Sequence, residues 1–163
     1  MLVLSLWSSF LYAGEDAPLT LVHFDQPIVL DGKLNEPMWD LVEPVDLVTQ
    51  LPTYGAQPSE RTEILLAYDD NFLYMGGKLY DSQPELIAAN SKKRDAFVGN
   101  TDWFGLVLDS YNDKQNALAF FTNPNGLRFD ANVLNDAIGQ LPINVSWNAV
   151  WDVAVDINDE GWF

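Results

Sequence analysis

Residues Ala117 to Val133 read ALAFFTNPNGLRFDANV, two β-prone runs on either side of Asn123, Pro124, Asn125 and Gly126. Proline presets the backbone for the first corner of a turn, and asparagine and glycine tolerate the left-handed conformation a tight reversal needs. The segment therefore predicts a β-hairpin. A two-residue centre sets the register of the flanking strands, with Phe121 opposite Arg128 and Ala119 opposite Asp130. On that register Leu118, Phe120, Leu127, Phe129 and Ala131 share an apolar face. Ala117, Ala119, Phe121, Arg128, Asp130 and Asn132 make a mixed one.

The same alternation of short β-rich runs and turn clusters extends in both directions. Strands are expected at Ile28 to Leu30, Asp46 to Gln50, Glu63 to Tyr68, Phe72 to Tyr80, Trp103 to Asp109, Ala117 to Asn123, Gly126 to Val133 and Ala149 to Ile157. Two short helices interrupt them, one capped by Asn35 and opening on Glu36 and Pro37, the other over Pro84 to Ala89. Many short strands with turns between them predict an all-β fold, an antiparallel β-sandwich of jelly-roll type. The length of 163 residues suits one such domain.

Composition narrows function. The net charge of −16 repels a phosphate backbone, so nucleic acid is not an expected partner. Carboxylates set among loops suit a hard cation such as Ca2+, and serve solubility equally well. The chain has no cysteine, which excludes disulfides, thiolate metal sites and a cysteine nucleophile. The only histidine, His23, reads as structural, and there is no Gly-x-Ser-x-Gly turn, phosphate-cradling glycine loop or pair of histidines at metal spacing. Two carboxylates would suffice for glycoside hydrolysis, but with 24 acidic residues their presence carries no signal. The expectation is a protein that binds rather than catalyses.

At the N-terminus the apolar run Leu2 to Tyr12, followed by Ala13, Gly14, Glu15 and Asp16, is too short to span a membrane as a helix. It reads as a signal peptide over residues 1–13, with a mature domain over 14–163 that is periplasmic, outer-membrane-associated or extracellular; a buried first strand is the alternative. No Lys or Arg precedes Lys33, so a true start upstream of Met1 is open. At the other end Asn158 to Gly161 signal a turn, and Trp162 and Phe163 begin a returning strand. The expectation there is a longer polypeptide with a further C-terminal region.

The mixed hairpin face fits a sugar. A pyranose ring offers an apolar C–H face for stacking and a rim of hydroxyls that pair with carboxylate, amide or guanidinium groups. From the residues alone, a solvated sheet face is an equal reading. Among the aromatics, Trp39 and Trp151 read as core, whereas Phe97, Trp103 and Trp147 are stacking candidates that simple packing would also explain.

The run Ile28, Val29, Leu30, Asp31, Gly32, Lys33, Leu34, Asn35, Glu36, Pro37, Met38, Trp39 resembles the opening signature of the family 9 carbohydrate-binding modules. Tyr68, Asp69 and Asp70 leading into Leu73, Tyr74 and Met75, then Leu79, Tyr80 and Asp81, then Asp102 to Asp109, extend the resemblance over most of the mature chain. Ser59 to Glu63, together with Asp102 to Gly105 and Asn123 to Gly126, is similar to one subgroup, the N-terminal modules of larger bacterial envelope proteins. The resemblance implies a β-sandwich with structural Ca2+ that grips xylan- or cellulose-type sugars between aromatic rings. It places a sugar-binding Arg and a polar neighbour at Arg128 and Asp130, on the same mixed face as Phe121 and Asn132 and alongside the stacking candidates Phe97, Trp103 and Trp147, and offers Asp69, Asp70, Asp81 and Asp102 as metal candidates. Gly105 stands where the family often has an acid, and Phe97 where it has a loop tryptophan. The expected function is attachment of a larger exported protein to a polysaccharide or oligosaccharide. The alternative is a structural domain docking onto the C-terminal region of its own polypeptide.

Overall fold

The run Thr62–Tyr68 (TEILLAY) meets Leu73–Tyr80 (LYMGGKLY) in a hairpin closed by Asp69 to Phe72. Asp69 Oδ1 accepts the N–H groups of Asn71 at 2.7 Å and Phe72 at 2.8 Å, and Tyr74 donates its hydroxyl to Oδ2 at 2.6 Å. An aspartate that satisfies backbone donors two and three residues on is a standard way to turn a chain. The computed structural model describes residues 19–96, 99–139 and 142–163; the expected leader over 1–13 and the candidate Phe97 lie outside them.

The chain divides into two compact units. The first contains Leu34–Ser82, the described residues 19–29 and Phe163. In it β1 (Val22–His23) runs parallel to β2 (Thr62–Tyr68), which pairs antiparallel with β3 (Leu73–Tyr80) from Thr62↔Leu79 to Tyr68↔Leu73. Phe24, Trp39, Val42, Leu65 and Ala67 are buried together, with the Phe24 and Trp39 rings edge to face at 5.0 Å. Trp39 comes from a single 3-10 turn, Pro37–Leu41, with Pro37 in its first turn. Glu36 rather than Asn35 stands at its N-cap, without a side-chain cap bond.

The second unit contains Leu30–Lys33 and Gln83–Trp162. Its sheet has the order β4 (Phe104–Leu108), β5 (Ala117–Thr122), β6 (Phe129–Val133), β7 (Ile143–Asn144), antiparallel throughout. The hairpin β8 (Ile157–Asn158) and β9 (Gly161–Trp162) forms where the turn signal at Asn158 to Gly161 predicts one. Two further 3-10 turns, Pro84–Leu86 and Asn135–Ala137, complete the helical content of the described residues. The first is shorter than the expected helix. The fold is the all-β fold of sandwich class expected from the sequence.

Three expected strands are not ladders. Val29 gives its N–H to Glu36 Oε1 at 2.9 Å, and of Ile28 to Leu30, none of them in a strand, only Ile28 packs on the core while Val29 and Leu30 are exposed. Between Asp46 and Gln50 no strand forms, and the sheet bond nearest it is Val45 N to Ile64 O at 2.8 Å. Along Ala149 to Asp156 side chains replace a neighbouring strand: Ala149 N donates to Asp130 Oδ2 at 2.7 Å, Trp151 O accepts from Arg128 at 2.9 Å, and Val153 N donates to Asp152 at 2.9 Å. These three backbone groups find side-chain partners without a ladder.

The central hairpin forms with a register one residue away from expectation. Gly126 N closes on Asn123 O at 2.8 Å, and the fully buried Asn123 side chain accepts the N–H groups of Asn125 at 3.0 Å and Leu127 at 3.1 Å. Arg128 O is taken by Asp95 N at 2.9 Å. One extra residue is thus absorbed beyond the turn, and β6 begins at Phe129 with Phe121↔Phe129, Phe120↔Asp130 and Ala119↔Ala131 paired. A one-residue slip exchanges the faces of one strand relative to the other. Ala117, Ala119 and Phe121 therefore pack with Phe129, Ala131 and Val133, while Leu118 and Phe120 join Asp130 and Asn132 on the opposite side.

Candidate functional site

The alternation within β6 keeps Arg128, Asp130 and Asn132 on one face, but the three have different fates. Asp130 is 0% exposed. Its Oδ1 accepts from Arg94 Nη2 at 2.6 Å and from Trp151 Nε1 at 3.1 Å, and its Oδ2 from Ala149 N. A buried carboxylate is tolerable when it is paired and fully hydrogen-bonded, which describes Asp130 and removes it from any contact with a ligand in solution. Arg128 is half-exposed and spans to Trp151 O and the Asp152 carboxylate at 3.3 Å. Asn132 makes no side-chain hydrogen bond among the described residues.

Phe121 is corrected from the mixed face to the core face. Its ring lies where a side chain at Gly105 would extend, in contact with the ideal Cβ position. A side chain at position 105 would collide with Phe121 and the Phe120 carbonyl, which fill the space. Trp103 is half-buried and meets Phe129 edge to face at 6.3 Å. Trp151, expected in the core, is half-buried with its indole tied to Asp130.

Trp147 sits differently. Phe120 lies edge-on to both Trp147 at 6.0 Å and Trp151 at 5.6 Å, so the segment pinned by Asp130 carries Trp147 half-buried against β5. A shallow recess of about 300 Å³ opens beside it, lined by Ser110, Tyr111, Asn116, Ala117, Leu118, Asn132, Leu134 and Trp147. Two sequence candidates, Asn132 and Trp147, meet here. Tyr111, 79% exposed, is the lining aromatic that sequence reading did not single out.

The loop carrying Tyr111 is ordered by two carboxylates. Asp109 accepts the N–H groups of Tyr111 at 3.2 Å, Asp113 at 3.2 Å and Lys114 at 2.8 Å. Asp113 accepts those of Gln115 at 2.8 Å and Asn116 at 2.7 Å, together with the Asn116 amide at 2.7 Å. The Asn116 amide, then its N–H and that of Gln115, hold the Asp113 carboxyl below the usual range, because each donor stabilises the charged form. Across the recess, Leu134 leads into Asn135, Asp136 and Ala137, all at left-handed φ of 53°, 54° and 56°. Asp136 N is anchored on Gln115 O at 2.7 Å.

The metal candidates are scattered. Asp69 spends its oxygens on its own turn, and the Tyr74 hydroxyl lowers its pKa first of all. Asp70 bonds His23 Nε2 at 3.2 Å, which raises the histidine pKa. Asp81 belongs to the first unit, while Asp102, exposed, gives its N–H to Ala88 O at 3.4 Å in the second. Among the described residues no three His, Cys, Asp or Glu side chains are grouped to hold a metal ion, and none of their helices is long and apolar enough to cross a membrane.

Comparison with family models, with curated proteins and with solved structures gave no match to this chain.

Proposed function

We propose that the chain is a non-catalytic carbohydrate-binding domain, an N-terminal part of a larger exported protein that it attaches to a xylan- or cellulose-type polysaccharide or its chain ends. One observation carries the reading: the recess beside Trp147 combines two aromatic side chains, Trp147 and Tyr111, with the unpaired amide of Asn132 and the hydroxyl of Ser110, and no charged side chain lines it. Aromatic faces stack on the C–H surface of a pyranose, and neutral groups that both donate and accept match hydroxyls. The resemblance of the Ile28 to Trp39 and Asp102 to Asp109 segments to family 9 carbohydrate-binding modules supports the same reading. Calcium, implied by that resemblance, is proposed as a structural ion, since the recess lining includes no carboxylate.

Calorimetric titration of the chain, extended through its following residues, with xylo- and cello-oligosaccharides tests the proposal, with Ca2+ present and then chelated. Saturable heat that Trp147→Ala weakens by tenfold or more, about 1.4 kcal/mol, is the expected result. Chelation is expected to lower the melting temperature. No heat with any glycan from a folded domain would favour the docking alternative, for which exposed Ile138, Val145 and Val150 offer apolar contact surface.

A further inference from the structure

We infer that the recess prefers uncharged glycans over their carboxylated counterparts, with the carboxylates of Asp109 and Asp113 as the discriminating groups. The inference rests on the carbohydrate reading above and adds the chemical class of sugar. Acidic sugars are recognised by guanidinium or ammonium groups that pair with the carboxylate. The two arginines of the unit that holds the recess are already committed. Arg94 is held by Asp130 at 2.6 Å, and Arg128 bridges Trp151 O and Asp152. Lys114 shares the loop of Tyr111 but does not line the recess.

Carboxylates, by contrast, stand immediately behind the wall. Asn116 lines the recess, and its amide is 2.7 Å from Asp113 Oδ2, so one hydrogen bond separates that charge from the lining. Asp109 holds the N–H of Tyr111 and precedes Ser110, both lining residues. Because its donors favour the charged form, Asp113 stays ionised at neutral pH. The whole chain adds a field of the same sign, from its net charge of −16.

The test titrates the same full chain with a neutral xylo-oligosaccharide and with one bearing a single glucuronic acid, at about 0.01 M and about 1 M salt, where the screening length falls from ~30 Å to ~3 Å. The expected result is ~3-fold or weaker binding of the acidic sugar at low salt, as repulsion from two nearby charges gives, and near-equal binding at high salt. Asp113→Asn, which keeps an oxygen acceptor for the loop, is expected to narrow the low-salt gap by about half. Equal affinity for both sugars at low salt overturns the inference and leaves the carbohydrate reading standing. A gap that persists at high salt also overturns it, since shape rather than charge would then discriminate. Absence of binding by either sugar overturns the carbohydrate reading and this inference with it.

Discussion

Asp130 Oδ1 on β6 accepts from both Arg94 Nη2 at 2.6 Å and Trp151 Nε1 at 3.1 Å, so one buried carboxylate oxygen joins two loop segments 57 positions apart to the same strand. With Ala149 N on its second oxygen, this group substitutes for the strand that Ala149 to Asp156 lacks as a partner. Removing one member of a buried ion pair leaves the other unpaired at a cost of about 3 to 5 kcal/mol. Arg94 is one-third exposed, which lets water take up part of its charge and favours the lower end.

Asp130→Ala is accordingly expected to lower stability by about 3 kcal/mol, or roughly 6 to 12 °C in melting temperature for a chain of this size. Thermal and urea unfolding monitored by circular dichroism would measure it. A change under about 1 kcal/mol would mean the carboxylate is not holding the segment.

Arg128 and Asn132 are expected to separate stability from binding. Arg128→Ala loses bonds to Trp151 O and Asp152 and should cost about 1 kcal/mol of stability while changing sugar affinity less than about threefold. Asn132→Ala removes an open amide from the recess wall and should reduce affinity about tenfold, about 1.4 kcal/mol, at nearly constant melting temperature. Paired calorimetry and thermal unfolding of both variants decide this, and a larger affinity loss in Arg128→Ala would return the binding role to the guanidinium.

Gly105→Ala should destabilise by about 1 to 3 kcal/mol, because the added methyl group meets the Phe121 ring and the Phe120 carbonyl. Gly105→Glu should be worse and should not gain sugar affinity. Denaturant midpoints would report the order, and a stable Gly105→Glu variant would show that Phe121 moves aside readily.

The pH dependence has two opposing parts. Asp69 and Asp113 have depressed folded pKa values, so their contribution to stability is present above the ordinary value of 3.8 and is lost as pH falls through the lower folded values. His23 is raised above 6.5 by Asp70 and Asp25, so its contribution is complete below 6.5 and disappears as pH rises through the higher folded value. Melting temperatures from pH 3 to pH 8 should show an acid loss that Asp69→Asn reduces, and a small decline above about pH 6.5 that His23→Gln abolishes.

Much of this architecture was legible in the chain. The runs at Thr62–Tyr68, Leu73–Tyr80, Phe104–Leu108 and Ala117–Thr122 pair where alternation and turn residues indicate. Register escaped because it depends on the buried Asn123 side chain, whose two acceptor bonds draw Leu127 into the turn. That single residue reassigned Phe121 to the core face. Asn132 and Trp147, candidates from the sequence, both fall on the lining of one recess. Arg94 was hidden in the run Lys92, Lys93, Arg94, Asp95, which looks like a solvated charge cluster. Tyr111 had a usable signal, a lone aromatic in the polar loop Asp109 to Asn116 that closes β4 onto β5.

The bond from the Trp151 indole to Asp130 also gives the chain a built-in magnetic label. An indole proton donated to a carboxylate out of contact with water exchanges slowly with solvent and resonates away from its freely hydrated counterparts. Among six tryptophans, that resonance would follow attachment of the Ala149 to Asp156 segment alone, while the Trp147 resonance would follow occupancy of the recess. Two signals in one spectrum would then distinguish loosening of the scaffold from filling of the site.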